Sequence, residues 1–139
     1  MKVQQIMPPR PRCFSPDAML SDAARMMSET DVGEIPVTGN GLKVLGVITD
    51  RDIVVRCVAA GGDPRNTSVQ SCMTAPALTL TEDASLEECA RLMAGQQLRR
   101  VPIVDANGAI CGMVAQADLE ATDARSLKAA VAERVSTPH

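Results

Sequence analysis

Gly46-Val47-Ile48-Thr49-Asp50-Arg51-Asp52 reads as a strand running into a helix N-terminus, and 66 residues later the chain repeats it as Gly112-Met113-Val114-Ala115-Gln116-Ala117-Asp118. Extended outward in that register, residues 3–53 lie over residues 69–119 without a gap, with 12 identities in 51 positions. Among them are Val3/Val69, Met7/Met73, Asp17/Asp83, Leu20/Leu86, Ala24/Ala90, Met27/Met93, Pro36/Pro102, Gly46/Gly112 and Asp52/Asp118. Two copies of one supersecondary unit imply a pseudo-two-fold pair that buries a shared core. Equivalent positions then face each other, so a cleft between the copies occurs twice, and the differences between copies tell which cleft is equipped.

Each copy reads in the same order. A short start (residues 3–7 and 69–73) leads through a Pro-containing connector to a brief extended stretch, Cys13-Phe14 or Leu78-Thr79-Leu80. A helix follows, with Leu20, Ala23, Ala24 and Met27, or Leu86, Cys89, Ala90 and Met93, at i, i+3, i+4, i+7 on one apolar face. Ser85-x-x-Glu88 is a capping box; its counterpart begins at Met19, a poorer cap. Two strands joined by a Gly/Asn turn come next: Ile35-Pro36-Val37 with 44–48, and residues 101–104 with 110–114. A second helix starts at Asp50 and closes on Gly61-Gly62, and its partner starts near Gln116. The pattern is β-α-β-β-α twice, an α/β (α+β) architecture of two pseudo-symmetric repeats packed sheet to sheet with helices outside. The boundaries expected are 1–66 for the first repeat and 67–139 for the second, the latter including a tail helix near 126–135 with Leu127, Val131 and Val135 on one stripe. Pro8-Pro9-Arg10-Pro11-Arg12 allows a polyproline reading, but its counterpart Thr74-Ala75-Pro76-Ala77-Leu78 favours an ordinary connector.

Size and charge narrow the function. At 139 residues the chain is one ordinary domain, whereas a half of roughly 60 residues is marginal alone. Fourteen basic against 17 acidic residues give a net charge of −3, so no basic field calls for nucleic acid. No apolar run approaches the roughly 20 residues that span a bilayer, and the N-terminus lacks a signal-peptide stretch. The expectation is a cytoplasmic protein with no membrane partner. Of five cysteines, Cys72, Cys89 and Cys111 replace Ile6, Ala23 and Leu45, and Cys57 sits in an apolar run. They read as small core fillers in a reduced compartment. Cys13 has no apolar counterpart and is the candidate exposed thiol. Without a C-x-x-C, and with His139 the single histidine, no metal site is expected.

The strand-to-helix junction carries the chemistry. Gly46 permits close backbone approach, Thr49 presents a hydroxyl and Asp52 a carboxylate. A helix N-terminus attracts anions such as phosphate, and a carboxylate beside it suits the two hydroxyls of a ribose. Thr-x-x-Asp is equally a helix capping box, and the motif alone does not separate the two roles.

The short start ending at Met7/Met73, the Ile-Pro-Val and Val-Pro-Ile strands and the Gly-x-x-Thr-x-x-Asp segment, in this order and found twice, resemble the CBS domain family. The chain is similar to a tandem CBS pair, or Bateman module, over nearly its whole length. That resemblance implies adenosine-containing ligands (AMP, ADP, ATP, S-adenosylmethionine or NAD-like molecules) held between the repeats, and assembly into a homodimer. Carried over to this chain, it puts Asp52 on the ribose and Thr49 near ribose or phosphate. Arg99 and Arg100, just before Val101-Pro102, would meet phosphate with Arg51, while Val47, Ala77 and Leu78 would wall the base. The other copy keeps Asp118, has Ala115 in place of the hydroxyl, and offers Gly33 and Glu34 where cations are wanted. The expectation is one competent and one degenerate site. With Phe14 the one aromatic residue, base stacking falls to aliphatic and backbone groups.

The leading reading is therefore a non-catalytic sensor with no obligatory cofactor, binding an adenine nucleotide and signalling to a protein target the sequence does not name. One alternative is a dimerisation module with decayed sites. A nucleotide hydrolase built on Asp50, Arg51 and Asp52 is the third, weakened because no internal histidine is available as base.

Overall fold

The computed structural model describes residues 1–122 of the chain. The tail stripe Leu127, Val131, Val135 and His139 lie outside the described residues. The first copy contains a short 3-10 helix (Val3–Gln5), α1 (Leu20–Thr30), β1 (Glu34–Thr38), β2 (Val44–Thr49) and α2 (Asp50–Asp52), which runs on as a π-helical segment, Ile53–Val58. The second contains α3 (Val69–Cys72), β3 (Leu80–Thr81), α4 (Leu86–Gln96), β4 (Arg100–Val104), β5 (Ile110–Ala115) and a helical stretch over 116–122.

The two sheets obey the repeat residue by residue. β1 and β2 pair antiparallel with Glu34 opposite Thr49, and β4 and β5 pair antiparallel with Arg100 opposite Ala115. Both ladders slip at the same place, between Val37 and Thr38 and between Ile103 and Val104. The parallel pairing of β3 onto β4 at Leu80–Ile103 recurs in the first copy as a single bridge from Phe14 to Val37.

The core departs from the shared one expected. Two clusters form, and each is completed by the other copy's short start. Leu20, Ala23, Met27, Ile35, Val37, Ile48, Ile53 and Cys57 enclose Val69 and Cys72. Val101, Ile103, Val114, Cys89 and Met93 enclose Val3. Ordered burial of one valine stabilises by about 1.5–3 kcal/mol, so each exchanged helix is a real fraction of its host's stability.

That exchange explains the repeated glycines. A Cβ on Gly46 would lie 2.5 Å from the Thr74 carbonyl oxygen, and one on Gly112 would collide with Met7. The Thr74 and Val47 backbones exchange both hydrogen bonds, at 2.8 and 2.9 Å, and Pro9 bridges to Gly112. The close backbone approach read at Gly46 is thus made by the connector of the other copy.

Other expectations are corrected at the helices. Ala24 and Ala90 are exposed; the buried stripes are Leu20, Ala23, Met27 and Cys89, Met93, flanked by half-buried Met26 and Leu92. The second helix leaves α geometry at Ile53, where three β-branched residues in a row crowd the preceding turn. Gly61, at φ 81°, ends it, and the Gly62 N–H reaches back to the Cys57 carbonyl. Ser85 accepts from the Glu88 N–H as a cap should, while Met19 caps nothing. Cys57, Cys72 and Cys89 are buried and all five thiols are free. Cys13 is half-buried rather than exposed, and burial pushes its thiol pKa up, against a hydrogen bond with Thr38.

Candidate functional site

A cleft of about 950 Å³ opens where the two copies meet. Its lining is built from repeat mates: Gly33 with Arg99, Glu34 with Arg100, Thr49 with Ala115, Asp50 with Gln116, Arg51 with Ala117. The pseudo-two-fold axis therefore passes through it. Symmetry of backbone is retained at its floor, because the Asp50 N–H bonds to the Gly33 carbonyl and the Gln116 N–H to the Arg99 carbonyl, at 2.9 and 2.8 Å. The side chains break that symmetry. Arg99 and Arg100 come from one copy, and the other answers with Gly33, whose missing Cβ would stand 2.9 Å from the Asp50 carboxylate, and Glu34.

Thr49 and Asp52 form a reciprocal cap. The Asp52 N–H donates to Thr49 Oγ1 at 3.0 Å, and the Thr49 N–H donates to Asp52 Oδ2 at 3.1 Å. Asp52 is buried, and two further groups reach it. The Thr74 hydroxyl lies 3.1 Å from Oδ1 and 3.2 Å from Oδ2, and Arg56 Nε lies 3.7 Å from Oδ1. Arg56 Nη1 also donates to the Cys72 and Met73 carbonyls, at 3.3 and 2.9 Å. Asp52 thus ties the second copy's connector to the first copy's helix. At the repeat mates the knot is absent: Pro8 stands for Thr74 and Thr122 for Arg56. Asp118, half-buried, accepts from the Ala115 N–H at 2.8 Å, and the Thr122 hydroxyl donates to its backbone carbonyl.

Of the residues singled out in the sequence, the cleft wall brings together Thr49, Arg51, Arg99 and Arg100 with Gly33, Glu34 and Ala115. Val47, Asp52, Ala77, Leu78 and Asp118 are not on that wall; Leu78 is exposed on the connector. The wall adds residues the sequence reading passed over, Asp31, Gln97, Leu98 and Gln116. Asp31 and Gln97 are repeat mates holding the same left-handed C-cap, each at φ 54°. Mapping each site residue onto its mate finds Gln116 from Asp50, but not Thr74 or Arg56, which declare themselves through tertiary contact alone.

Electrostatically the cleft is mixed. Among the described residues, three cations, Arg51, Arg99 and Arg100, share the lining with three carboxylates, Asp31, Glu34 and Asp50. Burial pushes the Glu34 carboxyl up to about 7; Arg100 opposes the shift and Asp52 reinforces it. Among the described residues, no three His, Cys, Asp or Glu side chains gather as a metal-ligand set. None of the described helices is long and apolar enough to cross a membrane.

Fold and cleft together define a tandem-repeat module with a space of small-ligand size on its pseudo-two-fold axis. The chain belongs to the CBS domain family, which matches it twice, over residues 3–58 and 69–121. The CBS domain-containing protein YhcV of Bacillus subtilis is 41% identical over 105 residues, covering 76% of this chain and 73% of YhcV. MK0525 of Methanopyrus kandleri is 32% identical over 105 residues, and there the match spans 76% of this chain and only 54% of the relative. Among solved structures, Hypoxic Response Protein I with two coordinated zinc ions superposes with a TM-score of 0.80 at 31% identity, covering 86% of this chain and 97% of the other. CBSX2 in complex with AMP superposes with a TM-score of 0.78 at 26% identity, covering 91% and 98%.

Proposed function

We propose that this chain is a non-catalytic regulatory module that binds an adenosine-containing ligand of the AMP, ADP or ATP class between its repeats, with one competent and one degenerate site. The observation that carries the reading is the convergence of Thr49 and Arg51 from one copy with Arg99 and Arg100 from the other on one cleft wall. The AMP complex of CBSX2 supports the ligand class. Ligand binding there bridges the copies, so its binding energy biases their relative packing, and a partner protein reads the change. The setting proposed is a homodimer in the cytoplasm, where free thiols persist.

Phosphate would fall to Arg51, Arg99 and Arg100, with Thr49 near ribose or phosphate and Asp52 on the ribose. Val47, Ala77 and Leu78 would border the base, and Gly33, Glu34, Ala115 and Asp118 would make up the degenerate second site. A second reading, a dimerisation module with decayed sites, is favoured by one observation: Asp52 already has Thr49, Thr74 and Arg56 as partners. A ribose must displace Thr74 to reach it. Calorimetric titration with AMP, ADP, ATP, NAD and S-adenosylmethionine separates the two. The sensor reading expects about one ligand per chain, lost in Arg99→Ser/Arg100→Ser and in Asp52→Ala but kept in Asp118→Ala. No heat and no thermal protection with any of them would establish the scaffold. Phosphate release from ATP that disappears in Asp52→Ala would instead revive the hydrolase.

A further inference from the structure

Glu34, counted above with the degenerate site, opens β1 just before the buried run from Ile35 to Thr38, and its ladder partner is Thr49, so it also borders the equipped site. Its repeat mate Arg100 opens β4 and lines the same cleft, so a carboxylate stands where the other copy has a guanidinium. Among the described residues Glu34 forms no ion pair; the three that exist join Asp22–Arg25, Asp52–Arg56 and Asp63–Arg65. The charged groups around it among the described residues are Asp31 beyond α1, Asp50 and Arg51 at the start of α2, Asp52 behind Thr49, and Arg99 and Arg100 across the axis. Helix 116–122 and the end of α4 present neutral groups to the cleft, Gln116, Ala117, Gln97 and Leu98.

We infer that Glu34 limits how much negative charge the cleft accepts, selecting adenosyl ligands with one phosphate or none over di- and triphosphates. The inference rests on the adenosyl reading above. Among the described residues, the three wall cations are cancelled by three wall carboxylates with Glu34 ionised; with Glu34 neutral one positive charge is left over. Glu34 and Arg100 are half-buried, while Asp31, Asp50, Arg51 and Arg99 are exposed and better screened, so an ionised Glu34 is the carboxylate whose repulsion of an added phosphate is least damped by solvent. Its raised carboxyl pKa puts the change between the two states near neutrality, so binding of an anion draws a proton onto Glu34. Gly33 beside it supplies no cation to soften the effect.

The test is titration of the native chain, Glu34→Gln and Glu34→Asp with adenosine, AMP and ATP at pH 5.5 and pH 8. At pH 8 the Gln variant should lower the ratio of ATP to AMP dissociation constants by about tenfold, the size of one half-buried charge pair. The Asp variant should keep the native ratio. At pH 5.5 native and Gln proteins should agree, and comparing proteins at one pH cancels the ligand's own titration. An unchanged ratio at pH 8, or an equal change at both pH values, overturns the inference while leaving the adenosyl reading intact. Absence of binding by all three proteins overturns both.

Discussion

Asp52 and Asp118 are the same residue of the repeat put to unequal structural use. Asp52 accepts the Thr49 N–H and the Thr74 hydroxyl and faces Arg56, whereas among the described residues the Asp118 side chain accepts the Ala115 N–H alone. Removing a buried carboxylate with several partners strands those partners as well. Asp52→Ala should therefore cost about 2–3 kcal/mol in urea denaturation and Asp118→Ala about 1 kcal/mol, the size of a lost cap. Thr74→Val, which removes one arm of the knot, should cost about 1 kcal/mol. The cap itself was legible in Thr49-x-x-Asp52. The knot was not, because Thr74 lies 22 positions away and nothing in its own surroundings marks it. Glu34 gives a second prediction at this scale. Its carboxyl is raised from 4.5 to about 7 on folding, so the folded chain holds the proton more tightly. Stability from this group is full below pH 4.5 and is lost as pH rises toward 7. Glu34→Gln should melt alongside the native protein at pH 4.5 and above it at pH 8, as thermal scans would show.

At the scale of elements, the exchange of short helices decides how the repeats depend on each other. Val3 belongs in sequence to the first copy and in packing to the second; Val69 does the reverse. Each truncation to Ala should cost about 1–3 kcal/mol, and the damage should appear in the other copy. Hydrogen exchange should therefore quicken in β4 and β5 for Val3→Ala, and in β1 and β2 for Val69→Ala. The sequence order of elements was readable because hydrophobic period and turn residues are local signals. The exchange was not, since Val3 and Val69 are identical and either core would accept either one. Gly46 and Gly112 carried the missing clue in the open. A glycine in mid-strand announces close approach, but not whether ligand or chain approaches. Ala24 and Ala90 misled for the opposite reason: small apolar residues at i+4 fit a buried stripe and an exposed face alike.

For the whole molecule, an offset of 66 residues predicted the pseudo-symmetry, and the symmetric bonds at Gly33–Asp50 and Arg99–Gln116 carry it onto the cleft floor. What symmetry leaves unbalanced is the outer surface. On the π-helical segment Val54 and Val58 are 58% and 56% exposed, with Val55 beside them. The second copy has Glu120 and Ala121 at the positions of Val54 and Val55, so among the described residues its outer helix carries no matching apolar face. Three adjacent exposed valines leave apolar surface in water, and covering it with the same face of a second chain removes it on both partners at once. The proposed homodimer follows if that face is used. Sedimentation equilibrium should then report a dimer for the native chain and a monomer for Val54→Glu/Val58→Glu, with unchanged far-UV circular dichroism. The substitution places like charges four residues apart on solvent-facing positions, so it weakens the helix by only about 0.2–0.5 kcal/mol while forbidding self-contact. A native chain that sediments as a monomer would remove the dimer from the mechanism. Binding energy in the cleft would then act on the angle between two repeats within one chain.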